Sequence, residues 1–296
     1  MKTITVFTPS YNRAYILPKL YESLQQQSCK DFEWLIVDDG STDNTEELVA
    51  SWLSVADFSI RYIRQENAGK HFAINRGVAE AQGKLFLIVD SDDHLTCDAV
   101  QILCEKFAEI DDDASFAGIS GVRVDFSGKR IGDSLPVDVL DCTALELRLE
   151  FGIQGDMAEA YKTSVLKAFP FPEIPGEKFC PEALVWNRIA QRYKLRFINS
   201  GYYRCEYRPD GLTAKITKLR RDSSLASLIY YSELYSFDIP TAQKVKAAIN
   251  YWRFAFCNKE KSFLNKTRMI GCGSLLFLPL GFIYYILDTY KLSKKR

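Results

Sequence analysis

Three carboxylates stand close together at Asp90, Asp92 and Asp93, directly after the apolar run 85–89. Carboxylates packed this closely repel one another unless a cation lies between them. Oxygen ligands suit Mg²⁺ or Mn²⁺, and such ions usually bridge one or two carboxylates to a phosphate. The pattern predicts a divalent cation that binds a diphosphate. The alternative is an acidic loop that helps to cap the next helix.

The run before these carboxylates has to hold them in place. It is short and lies between Gly83 and His94, which favours a buried strand over a helix. In an open α/β sheet, ligands bind in the crevice outside the carboxyl ends of the strands. The acidic cluster would therefore stand where such a sheet binds its ligand.

The first 110 residues alternate between short apolar runs and stretches with helical spacing. Strands are predicted at 4–7, 32–37, 60–63 and 85–89. Pro9 should end the first of them, because proline cannot continue a central strand. The alternation predicts an α/β fold with a mainly parallel sheet flanked by helices. Four loops would then line one cleft: 8–13, 38–43, 67–71 and 90–93.

Beyond residue 110 the regular alternation weakens. The sequence predicts a strand at 116–125 and a final strand pair at 195–198 and 202–207, after which the chain becomes helical. We therefore expect two parts, a sheet-based domain over 1–215 and a helical tail over 216–296.

Composition excludes some partners and sites. The 296 residues have a formal net charge of +0, which gives no overall field to attract nucleic acid. The 8 cysteines form no CxxC pair, which argues against a zinc knuckle. The first strand begins almost at once, so we expect no signal peptide and reduced thiols in a cytosolic protein.

Three motifs carry a resemblance to a family. They are Thr-Pro-Ser-Tyr-Asn-Arg at 8–13, Val-Asp-Asp-Gly-Ser-Thr-Asp at 37–43 and Asp-Ser-Asp-Asp at 90–93. In this order they resemble the inverting nucleotide-sugar glycosyltransferases of family 2, whose catalytic domain has the GT-A fold. Asn-Arg-Gly at 75–77 also matches, and the resemblance covers roughly the first 210 residues.

The resemblance implies roles for the first two loops. Pro9, Tyr11 and Asn12 would form the floor of the nucleotide pocket, with Tyr11 near the base. Asp39 would accept a hydrogen bond from the N–H of a uracil-like base. For Asp38 and Asp39 the alternative role is turn formation, and one of the pair would then do only that.

The resemblance also assigns the cation and the phosphates. Asp90 and Asp92 match the DxD motif and would bind Mg²⁺ or Mn²⁺, with Asp90 also facing the ribose. Asp93 could share the metal, and the sequence does not separate it from Asp92. Lys70 and Arg76 are candidates for phosphate contact. For Arg76 a solvated helix face is an equal alternative.

An inverting transfer needs a carboxylate that takes the proton from the acceptor hydroxyl. In the family this base is usually an Asp at the start of a helix in the second half of the domain. Glu182 falls at that place here, which departs from the family pattern. Asp156 and Glu177 are its rivals. The change of residue type, with Ala183 beside it, leaves room for a non-catalytic nucleotide-sugar-binding protein.

The tail contains a charge-free segment over 269–287, preceded by Lys266 and Arg268 and followed by Lys291 and further basic residues up to the chain end. A helix on the membrane surface with basic anchors is the preferred interpretation. A spanning helix comes second, because the length is near the roughly 20 residues that cross a bilayer. A helix buried against the domain comes third.

Together these features predict a metal-dependent, inverting glycosyltransferase. It would move a sugar from a nucleotide donor, expected to be a UDP-sugar, to a saccharide or lipid-linked acceptor in surface polysaccharide synthesis. We expect it to be cytoplasmic and peripheral at the inner face of the plasma membrane. A nucleotidyltransferase is disfavoured, because that class needs a glycine-rich phosphate loop and 8–13 has no glycine.

Overall fold

The computed structural model describes residues 2–206 and 215–294. They divide into two compact units, the first made of Met1–Pro170 and Arg188–Tyr207 and the second of Phe171–Asn187 and Arg208–Arg296. The segment 171–187 therefore groups with the C-terminal helices. The boundary predicted after residue 215 adjoins residues 207–214, which lie outside the described part of the chain.

The first four strands form a parallel sheet in the order β3-β2-β1-β4. The strands are β1 (Ile4–Ser10), β2 (Phe32–Asp38), β3 (Ser59–Arg64) and β4 (Leu85–Ile88). The intervening helices are α1 (Leu17–Gln25), α2 (Thr45–Leu53) and α3 (Lys70–Glu80). All seven residues of β2 are buried, as expected for a strand covered on both faces. The predicted α/β sheet flanked by helices is confirmed.

The second half of the sheet is mixed. Its strands are β5 (His94–Leu95), β6 (Phe116–Val124), β7 (Arg130–Ile131), β8 (Val139–Cys142), β9 (Met157–Lys162) and β10 (Lys194–Arg204). Strand β9 runs antiparallel between β4 and β6, and β10 runs parallel to β6. The helices that follow in the chain are α4 (Ala99–Ala108), α5 (Ala144–Leu149), α6 (Thr163–Ala168) and α7 (Glu182–Ala190). Residues 182–187 of α7 belong to the second unit.

The predicted final strand pair is wrong, because β10 is one continuous strand. Both of its halves pair with β6 in the same direction, and the register shifts between Ile198 and Tyr203. The polar stretch between them looks like a turn in the sequence, but it stays extended as an irregularity within the strand. Residue 207, the predicted end of this strand, lies outside the described residues.

Pro9 also departs from expectation, since it lies inside β1. The carbonyl of Phe7 accepts from Val89 N and the carbonyl of Ser10 accepts from Asp39 N. Neighbouring residues of a parallel strand bond to opposite sides, so the Pro9 nitrogen faces the β4 side. Strand β4 pairs with β1 only as far as Phe7. The missing N–H of Pro9 therefore leaves no ladder bond unmade, and the proline is tolerated there.

The second unit is helical. It contains α8 (Ile216–Asp222), α9 (Ser224–Ser236), α10 (Thr241–Ala255), α11 (Phe263–Ile270) and α12 (Leu278–Ser293), with a 3-10 helix over Cys272–Phe277. The charge-free segment of the sequence is therefore not one straight helix. It is interrupted at Gly271, whose φ of 97° ends α11.

Helix α12 packs closely on α10. A Cβ at Gly281 would lie 2.5 Å from Trp252 Cβ and 2.9 Å from the carbonyl oxygen of Ile249, so only glycine allows this approach. About two turns further along α12, the buried Asp288 accepts from Arg253 on both carboxylate oxygens, at 2.6 and 2.8 Å. These contacts fix one face of α12 within the second unit.

Candidate functional site

Asn12 joins the first loop to the second. Its backbone N–H donates to Ser41 Oγ at 2.8 Å, and its side-chain Oδ1 accepts from the N–H of Thr42 at 2.7 Å. Asn12 has a φ of 53°, which places it in the left-handed region that asparagine tolerates better than most residues. Beside it, the side chain of Tyr11 is 48% exposed. The asparagine thus holds the first two loops together, and its role in the nucleotide pocket stays a prediction.

Asp38 has the turn role that the sequence left open for one of the two aspartates. Its Oδ1 accepts from the N–H of Ser41 at 2.9 Å and from Ser41 Oγ, and its Oδ2 accepts from the hydroxyl of Tyr62. Burial, together with the neighbouring Asp38 carboxylate, raises the pKa of Tyr62. Asp38 is thus a buried structural acceptor that shapes the second loop.

Asp39 binds the second loop to the third. Its Oδ1 accepts from Gln65 Nε2 at 2.8 Å and from Ala68 N at 3.0 Å. Its Oδ2 accepts from Gly69 N at 2.8 Å and from Asn67 Nδ2 at 3.3 Å. Four protein donors therefore converge on the carboxylate predicted to receive the base N–H, so a base that binds there would share or displace one of them.

Lys70 is the first residue of α3, and its Nζ lies 2.6 Å from Oδ1 of Asp90. This ion pair brings the third loop to the fourth, so the four predicted loops do meet at one edge of the sheet. Burial alone would raise the pKa of Asp90, but Lys70, Arg123 and Arg13 outweigh it and hold that pKa below its ordinary value. These three cations therefore favour the ionised form of Asp90.

Asp93 has the opposite electrostatic character. It is buried, and Tyr203 Oη donates to its Oδ2 at 2.6 Å. Burial and the nearby Asp90 carboxylate raise the pKa of Asp93 to about 7. Asp92 is only half-buried. Three adjacent aspartates thus differ, with one paired to a lysine, one half-exposed and one that retains its proton more readily.

Sequence reasoning missed two residues that act on these aspartates. Tyr203 contacts Asp90 and Asp93, and Arg123 acts electrostatically on Asp90. The Arg123 guanidinium lies 4.6 Å from the ring centroid of Tyr203, and its Nε donates to the carbonyl of Met157 at 2.9 Å. Tyr203 Oη also accepts from the N–H of Asp90 at 3.2 Å. The sequence did contain a signal, because Arg123 stands between two valines in a predicted strand. A charge buried in a strand needs a partner, so this arginine could have been predicted to pair with an acidic group.

The carboxylates fit a divalent cation by chemistry. Among the described residues no group of three or more acidic, histidine or cysteine side chains is arranged to hold a metal. Asp90 and Asp92 offer hard oxygen ligands in the loop that follows β4. Mg²⁺ and Mn²⁺ commonly take one or two carboxylates and complete their shell with phosphate and water. Two protein ligands are enough for such a cation.

Two other predicted residues have local partners. Arg76 has an exposed side chain on α3 and pairs with Glu80 one turn away at 3.2 Å, as expected for a solvated helix face. Glu177, a rival base, accepts from the N–H groups of Leu225 and Ala226 at 2.6 and 2.8 Å. It therefore binds the first turn of α9, and its burial raises its pKa.

The main candidate for the base begins a helix, as its sequence position predicts. Glu182 is the first residue of α7 and is half-buried. Asp156 is exposed just before β9. Both remain predictions for the catalytic role.

Solved structures with this fold bind nucleotide sugars. Staphylococcus aureus TarS 1–349, in complex with UDP-GlcNAc, superposes with a TM-score of 0.65 at 19% identity, covering 99% of this chain and 92% of that one. The mannosyltransferase PcManGT of Pyrobaculum calidifontis, in complex with GDP-Man and Mn²⁺, gives 0.57 at 16% identity, covering 96% and 87%. These likenesses establish the GT-A type of fold.

Two curated relatives are bacterial proteins. A GalNAc(5)-diNAcBac-PP-undecaprenol beta-1,3-glucosyltransferase of Campylobacter jejuni is 27% identical over 226 residues, which are 74% of this chain and 69% of the relative. A teichoic acid poly(glycerol phosphate) polymerase of Staphylococcus epidermidis is 34% identical over 112 residues, but these cover only 16% of its length. The chain thus spans about two thirds of one relative and a small part of the other.

The sequence model described as Glycosyl transferase family 2 matches residues 5–155, which contain all four loops and the three aspartates after β4. This match extends over half of the chain. The protein is a member of glycosyl transferase family 2.

Proposed function

We propose that the protein transfers a sugar, with inversion, from a UDP-sugar to a saccharide or lipid-linked acceptor during surface polysaccharide synthesis. Support for the donor comes from the UDP-GlcNAc bound by the TarS neighbour. Support for the acceptor comes from the lipid-linked substrate in the name of the Campylobacter relative and from the teichoic acid polymerase.

The ion pair between Lys70 and Asp90 is the observation that carries this proposal. It lies at the carboxyl end of β4, where an open α/β sheet binds its ligand. Arg13 and Arg123 also act electrostatically on Asp90. An anionic diphosphate and a cation can both be accommodated where one ammonium and two guanidinium groups adjoin a carboxylate.

The residues of the chain then have separate tasks. Lys70 would exchange its bond to Asp90 for one to a donor phosphate, which would release a carboxylate oxygen of Asp90. Asp90 and Asp92 would hold Mg²⁺ or Mn²⁺, which when bound neutralises negative charge on a departing diphosphate. Asn12 and Asp39 would keep the loops in shape around the nucleotide, and Glu182 would accept the proton of the acceptor hydroxyl.

Donor turnover tests this function. Full-length protein would be incubated with UDP-sugars and Mn²⁺, and both donor hydrolysis and transfer to glycan acceptors would be followed, with the product anomer read by NMR. Glu182→Gln should abolish transfer while donor binding persists, whereas Asp156→Asn should retain transfer. Donor binding without any turnover would instead favour the non-catalytic nucleotide-sugar-binding alternative, and full activity of Glu182→Gln would remove that residue from the base role.

For the second unit, we propose that it binds a membrane surface. Its exposed large apolar side chains include Phe263, Leu264, Leu276, Leu280, Ile283 and Leu287. Lys259, Arg268, Lys291 and Lys294 are exposed in the same unit. Exposed apolar groups with basic neighbours are typical of segments that lie on anionic lipid. The predicted basic residues at 295–296 lie outside the described part of the chain.

Binding in the plane of the membrane is favoured over spanning. By length and composition one helical stretch of the described chain, Cys272–Ser293, could cross a bilayer. However, the Arg253–Asp288 ion pair lies on one face of α12, and Arg221 donates to Thr289 Oγ1 at 2.9 Å. A bilayer core penalises charged groups strongly. A helix with one face held by these contacts exposes only its other face to lipid.

Vesicle flotation distinguishes these arrangements. The protein should float with phosphatidylglycerol vesicles, less with phosphatidylcholine, and be released by high salt. Leu276→Glu should weaken flotation, while Leu53→Glu, at an exposed position of the first unit, should not. Resistance to extraction by carbonate would show a spanning helix instead, and no flotation with either lipid would contradict the membrane proposal.

A further inference from the structure

A cavity of about 380 Å³ lies in the first unit, away from the aspartates. Its walls come from β6, β7 and β10, from the turn between β6 and β7, and from Thr96 just after β5. The polar lining residues are Thr96, Arg130, Asn199 and Arg204, and the lining contains no carboxylate. Cavities of this volume bind small molecules about the size of a monosaccharide derivative.

The cavity is on the opposite face of the strands from the candidate donor site. Tyr203 contacts Asp93 through its hydroxyl, and it pairs in register with Arg123. The next residues, Arg204 and Val124, also pair and must point to the other face, because side chains alternate along a strand. Both of them line the cavity. It is therefore a separate site from the one that contains Asp90.

The backbone is built to leave this space open. The register shift in β10 falls between Ile198 and Tyr203, so Asn199 and Gly201 lie in the irregular stretch that borders the cavity. A Cβ at Gly201 would lie 2.4 Å from Val124 Cγ1, so a larger residue would push into the wall. On the other side, Gly128 has a φ of 87° in the tight turn between β6 and β7.

The two arginines differ in their hydrogen bonding. Arg130 donates to Asn199 Oδ1 at 2.6 Å, which holds its guanidinium at the cavity wall. The Nε of Arg204 is buried and has no hydrogen-bond partner among the described residues. A buried donor left unpaired is costly unless a ligand or water satisfies it. Two arginines thus line the cavity, and one of them has an unsatisfied buried donor.

We propose that this cavity binds the phosphate or carboxylate group of a saccharide-sized anion. Guanidinium groups present paired N–H donors that match the oxygens of both anions. The described residues that line the cavity include no carboxylate, which is the usual partner of an arginine inside a protein. Asn199 and Thr96 supply polar groups that can contact sugar hydroxyls. The ligand is either a charged unit of the acceptor glycan or a free sugar phosphate that acts as an effector.

Calorimetric titration of the full-length protein tests the site without relying on turnover. The probes are glucose 1-phosphate, glucuronate, inorganic phosphate and, as the neutral control, glucose. We expect the two charged sugars to bind and glucose not to bind. Inorganic phosphate alone should bind more weakly, because it leaves most of the cavity empty. If no anion binds at millimolar concentration, or if glucose binds equally well, the proposal is overturned.

Variants locate the binding. Arg204→Gln and Arg130→Gln should each weaken sugar-phosphate binding by about tenfold or more, as expected when a charge-assisted hydrogen bond is lost. Arg204→Lys should keep part of the affinity, which guards against a loss caused by misfolding. Lys167→Gln, at an exposed position of α6 outside the cavity, should bind like the unaltered protein. Unchanged affinity in both arginine-to-glutamine variants would place the anion elsewhere.

A transfer assay separates the two sources of the anion. If the cavity holds a unit of the acceptor, glucose 1-phosphate should compete and raise the KM for an anionic acceptor. If it holds an effector, glucose 1-phosphate should change kcat and leave that KM unaltered. If neither parameter changes although the compound binds, the inference that the site serves an acceptor or an effector fails.

Discussion

Lys70 Nζ lies 2.6 Å from Asp90 Oδ1, so an ammonium ion of the protein binds a carboxylate predicted to hold a divalent cation. The proposed phosphate contact and the proposed metal ligand therefore neutralise each other when no donor is bound. Binding of a cation with a diphosphate would exchange this one ion pair for two contacts. This exchange would couple the metal to the nucleotide.

The first prediction concerns Lys70→Met. Removing the ammonium frees Asp90, so Mn²⁺ alone should bind more tightly than to the unaltered protein. UDP-sugar affinity in the presence of Mn²⁺ should fall by about tenfold or more, the range for a lost charged hydrogen bond. Titration calorimetry measures both affinities. Lys84→Met, which breaks the exposed pair with Asp111, is the control and should change neither. Parallel weakening of metal and donor would contradict the exchange.

The second prediction follows from the pKa of Asp93, which burial and Asp90 raise from 3.8 to about 7. The folded protein holds this proton more tightly than the unfolded chain, so protonation favours folding. The stabilisation is complete below pH 3.8 and is lost as the pH rises through about 7. Asp93→Asn resembles the protonated form, so it should gain free energy of unfolding relative to the unaltered protein across this range.

Urea unfolding of the ligand-free protein at a series of pH values measures this difference. Glu109→Gln provides a control of opposite sign, because Lys106 and Arg196 lower the pKa of Glu109. That exposed variant should lose a little stability at neutral pH relative to the unaltered protein. A difference between Asp93→Asn and the unaltered protein that stays constant with pH would show that Asp93 does not titrate in this range.

Local patterns were enough to predict the first half of the fold. Strands β1 to β4 and the loops after them follow from short apolar runs and from the residues that break them. The meeting of Lys70 with Asp90 follows from the convergence of loops in a parallel sheet. Asp39 was harder to interpret, because its four donors come from a loop whose backbone path the sequence does not specify.

Pairing between strands that are far apart in the sequence determines the features that local patterns did not predict. Arg123 and Tyr203 meet only because β10 pairs beside β6, although their positions are 80 apart in the sequence. Pro9 lies within a strand because β4 stops at Ile88, and no local pattern reveals where a neighbouring strand ends. The anion cavity likewise depends on a register shift in β10. Such features arise from tertiary packing rather than from local preference.

The third prediction concerns Asn12, whose φ of 53° and side-chain bonds hold the first two loops together. Asn12→Ala should destabilise the protein by about 1–3 kcal/mol, since it loses a hydrogen bond and strains a left-handed residue. Asn12→Gly should cost less, because glycine adopts that φ freely. Both should weaken UDP binding. Equal destabilisation by the two variants, measured by thermal unfolding, would show that backbone strain contributes nothing.

The last prediction tests how α12 is held. Arg253 binds both oxygens of Asp288, and both side chains are largely buried. Removing one partner of a buried ion pair leaves the other charge unpaired, which typically costs about 3–5 kcal/mol. Asp288→Ala should therefore loosen α12 from α10 and raise hydrogen exchange throughout both helices. Glu46→Ala breaks the exposed pair with Arg64 and should cost less than about 1 kcal/mol. If α12 exchanges no faster in Asp288→Ala, the packing at Gly281 alone is enough to hold the helix, and the ion pair is not required for the in-plane arrangement.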